Sequence, residues 1–154
     1  MGRSPVTPYL SVSFQCHYLG AFLLCRAPHV RVSYQGKCFY FSEGEGNWTY
    51  SRSRCSALGA SLAGIDTLKE KDFLLRHEGE RGYWIGLRRD LGQSWKWANG
   101  TEFNNQFEIR GDGDCAYVNK NGISSWRCTS EGHWMCSKSD ALTAAKETPE
   151  GGGL

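Results

Sequence analysis

Apolar residues fall into short runs of changing period, and these mark the elements. Tyr34 to Phe41, Y-Q-G-K-C-F-Y-F, is rich in aromatics and reads as a strand or hairpin. A helical stretch follows from Trp48 to Leu58, with Gly59 as its stop. Thr67-Leu68-Lys69-Glu70 has the form of a capping box, in which the threonine hydroxyl accepts from a free amide and the glutamate reaches back to the first one. It predicts a helix over Leu68 to His77 that buries Leu68, Phe73 and Leu74 and closes at Gly79. Beyond it the pattern turns to strands and loops. Tyr83-Trp84-Ile85-Gly86-Leu87 is a short apolar strand, and Trp95-Lys96-Trp97 alternates like another. A long stretch rich in glycine and asparagine, Ala98 to Asp114, separates these from two closing strands, Cys115 to Asn119 and Gly132 to Cys136. Residues 141–154 lose the pattern, end in glycines and are expected to be a disordered tail. No internal repeat is visible.

Residues 1–32 differ from the rest. Ser4 to Cys25 contains no Lys, Arg, Asp or Glu, which raises the question of a membrane span. Pro5, Pro8, Gln15 and His17 interrupt it, however, and the apolar run Tyr18 to Cys25 falls well short of the ~20 residues a spanning helix needs. The segment reads as atypical: a poor signal sequence after Arg3, or a truncated anchor or stalk, or an alternative start. A length of 154 residues suits one domain with flanks, and 40% hydrophobic content is enough to bury a core. The net charge of +2 is made of scattered residues, so the pairs Arg52/Arg54 and Arg88/Arg89 read as solvated surface and nucleic acid is not expected as a partner.

The seven cysteines, at 16, 25, 38, 55, 115, 128 and 136, change the picture more. None forms a C-x-x-C pair, and the histidines at 17, 29, 77 and 133 are dispersed, so the short ligand spacing of a zinc site is missing. Widely spaced cysteines amid many Trp and Gly read instead as a disulfide framework formed in an oxidising compartment. The sequons at Asn47 and Asn99 agree with a secretory route and are candidate glycosylation sites.

Several motifs together resemble a C-type-lectin-like domain over residues 33–140. They are Gly36-Lys37-Cys38-Phe39-Tyr40, Cys55 on the first helix, Tyr83-Trp84-Ile85-Gly86-Leu87, Trp95 to Thr101 (W-K-W-A-N-G-T), and Cys115, Cys128 and Cys136. The resemblance implies an α+β fold: two helices flanking two small antiparallel sheets with a long loop, stapled by disulfides. Phe73-Leu74-Leu75-Arg76, Asp114-Cys115-Ala116-Tyr117 and Cys136 to Asp140 are similar, more narrowly, to C-type lectin domain family 2. Those proteins are type II membrane proteins that serve as ligands for killer-cell lectin-like receptors of subfamily B, and the early activation antigen is a near relative. The resemblance further implies disulfides Cys55–Cys136 and Cys115–Cys128. Relatives with a third disulfide place its cysteine eleven positions before Cys38, followed by proline. Here Pro28 is present, but Ala27 stands at the cysteine position and Arg31 where a Trp is usual. Either Cys25 substitutes as the partner of Cys38, or Cys38 stays free.

Sugar-binding relatives ligate calcium through a Glu-Pro-Asn or Gln-Pro-Asp triplet in the long loop and a Trp-Asn-Asp triplet before the second-last cysteine. Here the loop lacks a proline triplet, and Ile123-Ser124-Ser125 replaces the second set with short hydroxyls. No calcium site of that design, and no other cofactor, is expected. Glu108, Asp112 and Asp114 read as a solvated acidic loop. Arg110-Gly111-Asp112 is an integrin-type triplet whose simpler reading is a glycine turn. Neither His133 nor His77 has a nucleophile motif near it, so no catalysis is expected. Trp84, Trp95 and Trp97 fall where the family packs its core. Positions matching the relatives' recognition surface include Tyr117 and Arg127, with Trp126 and Lys120 as neighbours. The expectation is a cell-surface protein, at the extracellular face of the plasma membrane or secreted if unanchored, that engages a lectin-like receptor on natural killer or T cells, alone or as a homodimer. The alternatives are a carbohydrate-binding lectin, with or without calcium, and a secreted lectin-like inhibitor.

Overall fold

The computed structural model describes residues 16–19, 22–25, 30–77 and 81–139, with side chains over 32–76 and 81–139. The expected turn at Gly79, the side chain of His77, and Asp140 with the tail after it lie outside the described residues. The apolar run near the start forms a strand pair, β1 (Cys16–Leu19) and β2 (Phe22–Cys25), whose register sets Cys16 opposite Cys25.

Next comes the hairpin of β3 (Val30–Tyr34) and β4 (Lys37–Phe41). Gln35 and Gly36 both take positive φ to turn it. Helix α1 (Trp48–Ala57) follows, then β5 (Ser61–Leu62) and helix α2 (Leu68–His77). The remaining strands are β6 (Tyr83–Arg88), β7 (Lys96–Trp97), β8 (Cys115–Asn119), β9 (Gly122–Trp126) and β10 (His133–Ser139). Two antiparallel sheets are present, as expected. One is β3, β4, β10 and β5; the other is β7, β6, β8 and β9. A short parallel pairing of His133-Trp134 with Tyr83-Trp84 joins them into one mixed sheet.

Helix α1 carries little apolar surface; only Trp48, Ser51 and Cys55 are buried. Three anchors hold it. Asn47 caps its start by accepting from the Tyr50 amide at 2.8 Å, the Trp48 indole N–H donates to the Ile85 carbonyl at 2.8 Å, and Cys55 is bonded to Cys136 on β10. Gly59, at φ 74°, ends the helix as expected. At α2 the Thr67 hydroxyl accepts from the Glu70 amide at 3.0 Å, as expected of a capping box. The other half is corrected: Glu70 accepts not from Thr67 but from the Asp66 amide, at 3.0 Å, because its second carboxylate oxygen is held by Lys37 of β4 at 2.8 Å. The buried face is corrected too. Leu74 is fully buried and Phe73 partly so, stacked on Tyr34, whereas Leu68 is 48% exposed and the buried Glu70 takes the inward place.

The larger core cluster packs Phe39, Ile65, Leu74, Ile85, Leu87, Val118 and Met135 between the sheets and α2. A second gathers Trp48, Trp84, Trp134 and both described disulfides beneath α1. Cys55–Cys136 and Cys115–Cys128 are formed, with Cα atoms 5.5 and 5.1 Å apart. Cys38 is disulfide-bonded, which corrects the alternative that left it free. Cys16 and Cys25, the remaining cysteines, have side chains outside the described residues.

Candidate functional site

The hairpin β8–β9 and the loop ahead of it form one end of the molecule, and here the candidate residues collect. Tyr117 projects from β8 and Trp126 from the end of β9, half exposed at 47%. Their rings lie 6.3 Å apart, and each is within 6.3 Å of the buried Trp84. Trp84 itself is oriented by its indole N–H, which donates to the Gly46 carbonyl at 3.0 Å. The three aromatics line a groove of about 500 Å³ whose rim carries Glu45, Glu131 and Arg81. His133 sits at its edge, its Nε2 3.2 Å from the Glu45 carboxylate, while its buried Nδ1 has no hydrogen-bond partner. Arg127 and Lys120 are exposed on the same hairpin but do not line the groove. Tyr117 and Trp126 are thus brought together as expected, and Trp84, expected only in the core, is both core and groove floor.

The long loop is fastened to β9 at the last residue of the Ile123-Ser124-Ser125 triplet. Ser125, 7% exposed, donates its hydroxyl to the Arg110 carbonyl at 2.9 Å and accepts from the Gly113 amide at 3.0 Å. The backbones of Arg110, Ile123 and Ser125 also exchange hydrogen bonds. Gly111 and Gly113 make this contact possible, since a Cβ at either would overlap the backbone of Ser125 or Trp126. The Arg110-Gly111-Asp112 triplet is thus laid flat on β9, and the Arg110 guanidinium is folded onto the Asn121 carbonyl. The triplet is a glycine turn tied to β9 through its backbone, with all three residues exposed. Of the acidic residues, Asp114 accepts from Arg89 Nε at 3.1 Å, and Arg89 in turn covers the face of Trp95. Among the described residues no three of His, Cys, Asp and Glu converge on a metal position.

The sequon residues take different places. Asn47 uses its carbonyl as the helix cap, and Asn99 accepts at the same oxygen from the Thr101 amide and hydroxyl on an exposed turn. In both, the amide nitrogen that would carry a glycan makes none of these bonds.

Fold and disulfides define a C-type-lectin-like domain, and residues 45–138 match the model of the lectin C-type domain, so the chain belongs to that family. Among curated relatives it is 46% identical over 131 residues to human C-type lectin domain family 2 member D, covering 84% of this chain and 69% of that protein. It is 40% identical over 107 residues to human early activation antigen CD69, covering 70% of this chain and 54% of CD69. The chain thus spans about two thirds of one relative and about half of the other. The mouse scavenger receptor C-type lectin carbohydrate-recognition domain superposes with a TM-score of 0.66 at 21% identity, covering 73% of this chain and 97% of that one, a likeness of fold. This fold family is generally non-enzymatic. No helix among the described residues is long and apolar enough to cross a membrane.

Proposed function

We propose that the chain is a calcium-independent ligand of a lectin-like receptor protein, displayed at the extracellular face of the plasma membrane. Its receptor is a killer-cell lectin-like receptor of subfamily B on natural killer or T cells, and its effect is to modulate their activation without catalysis. The observation that carries this reading is the half-exposed Trp126 beside Tyr117, a solvent-facing aromatic pair on the hairpin that also bears Lys120 and Arg127. Large aromatic and arginine side chains contribute disproportionately where proteins meet. Ser125 supports the calcium-free form of it, since its hydroxyl is engaged with the loop backbone where a metal ligand would stand. Residues 33–140 form the recognition unit, with Asn47 and Asn99 glycosylated, and two copies pair as a homodimer.

The test offers the immobilised full chain, refolded with its disulfides, to reporter cells that each express one subfamily B receptor, with and without EDTA. One receptor responds, EDTA changes nothing, and Tyr117→Ala weakens binding by more than about 1 kcal/mol. Silence across the panel from folded protein removes the receptor assignment. Loss of the response after deglycosylating the receptor transfers the reading to a glycan.

A further inference from the structure

The groove beneath Trp126 has a chemistry more specific than an aromatic patch. Its floor and walls are the Trp84, Tyr117 and Trp126 rings, with mutual centroid distances of 6.2 to 6.3 Å. Trp84 is held from below by its bond to the Gly46 carbonyl and by close contact with Gly132, and Gly82 lies directly against Tyr117. The floor is therefore set before anything binds. At the rim, Glu45 faces His133, while Glu131 is exposed and has no hydrogen-bond or ion-pair partner among the described residues. With Glu45 engaged by His133, Glu131 is the rim carboxylate left to join three electron-rich ring faces, and Arg81 also lines the rim.

We propose that this groove is a socket for a basic side chain of the protein partner, an arginine above all. The inference rests on the reading that this hairpin meets a protein, and it names what that protein must present. A guanidinium is flat and weakly hydrated, so it can lie on Trp126 or Tyr117 while donating to a carboxylate at the edge. Glu131 is the carboxylate placed to accept it, and the volume of about 500 Å³ admits the arginine stem with the backbone that carries it. An anionic group entering the same space would face Glu131, Glu45 and the negative ring faces at once.

The probe is N-acetyl-arginine-amide, titrated into the full chain while the tryptophan indole N–H signals are followed by NMR, with N-acetyl-citrulline-amide as its neutral, isosteric control. The arginine compound is expected to shift the Trp84 and Trp126 signals saturably, at millimolar concentration for so small a ligand, and to bind at least about threefold more tightly than citrulline, as a cation over aromatic faces should. Trp126→Ala and Glu131→Gln should each cost about threefold or more, whereas Leu91→Ser, at a loop tip 94% exposed and away from the lining, should change nothing. Glu131→Gln changes only an exposed rim group and keeps the test decisive if Trp126→Ala disturbs folding. Equal shifts by arginine and citrulline, or binding unchanged in Glu131→Gln, overturn the socket. A reporter panel that stays silent while the arginine shifts persist removes the receptor and leaves the socket standing. A panel that responds equally to wild type, Trp126→Ala and Glu131→Gln removes the socket and leaves the receptor.

Discussion

Ser125 makes two hydrogen bonds from one hydroxyl, and both go to the backbone of the loop that a calcium ion would otherwise organise. The serine ties β9 directly to the loop, and the contact requires glycine at 111 and 113 so that the backbones can touch. Ser125→Ala leaves the Gly113 amide without its hydroxyl partner and the Arg110 carbonyl with the Ser125 amide alone. It should lower stability by about 1–3 kcal/mol, read as a shift in the urea midpoint, with faster hydrogen exchange at Gly113. Ser125→Asp should not confer calcium binding in calorimetry. One carboxylate is far below the six to eight oxygen ligands the ion takes, and no proline triplet faces it from the loop.

At the scale of elements, Lys37 joins β4 to α2. Its ammonium reaches Glu70 at 2.8 Å, Asp66 at 3.0 Å and the Gly64 carbonyl at 3.1 Å. Lys37→Ala strands the Glu70 carboxylate in a buried place, which costs about 3 kcal/mol. Adding Glu70→Gln should recover part of that loss, because the amide oxygen still accepts from Asp66 and no charge is left behind; a denaturation cycle of the four proteins measures it. The same residues show what sequence could and could not disclose. The start of α2 was readable because Thr67 and Glu70 cap it locally. The inward turn of Glu70 and the exposure of Leu68 were not, since both depend on a lysine 33 positions earlier. Strand β9, G-I-S-S-W, lacks apolar alternation and takes its form from β8 and the loop on its other side. Trp84 was legible as core but not as groove floor, because only the fold brings Tyr117 and Trp126 to it.

For the whole molecule, the two described disulfides differ in what they hold. Cys55–Cys136 closes a separation of 81 residues and ties α1 to the central strand; Cys115–Cys128 closes 13 at the edge. Chain-entropy reasoning gives about 4.5 kcal/mol for the first and about 3 kcal/mol for the second. Replacing Cys55 and Cys136 with alanine should therefore lower the thermal midpoint more than replacing Cys115 and Cys128. The latter pair should mainly loosen the Trp126 hairpin, detectable as faster hydrogen exchange over β8 and β9 in a chain that still unfolds cooperatively. The central position of β10 carries a further consequence, for biosynthesis. The strand that pairs with β4, β5 and β6 is the last of the described strands to leave the ribosome, and it brings the partner of Cys55 with it. At about 5–20 residues per second, Cys55 waits roughly 4–16 s for Cys136, in the company of earlier cysteines with which it can pair wrongly. The yield of native protein should accordingly depend on an isomerase able to reopen those first bonds, and pulse-labelled chains should pass through mixed disulfides before the native pair appears.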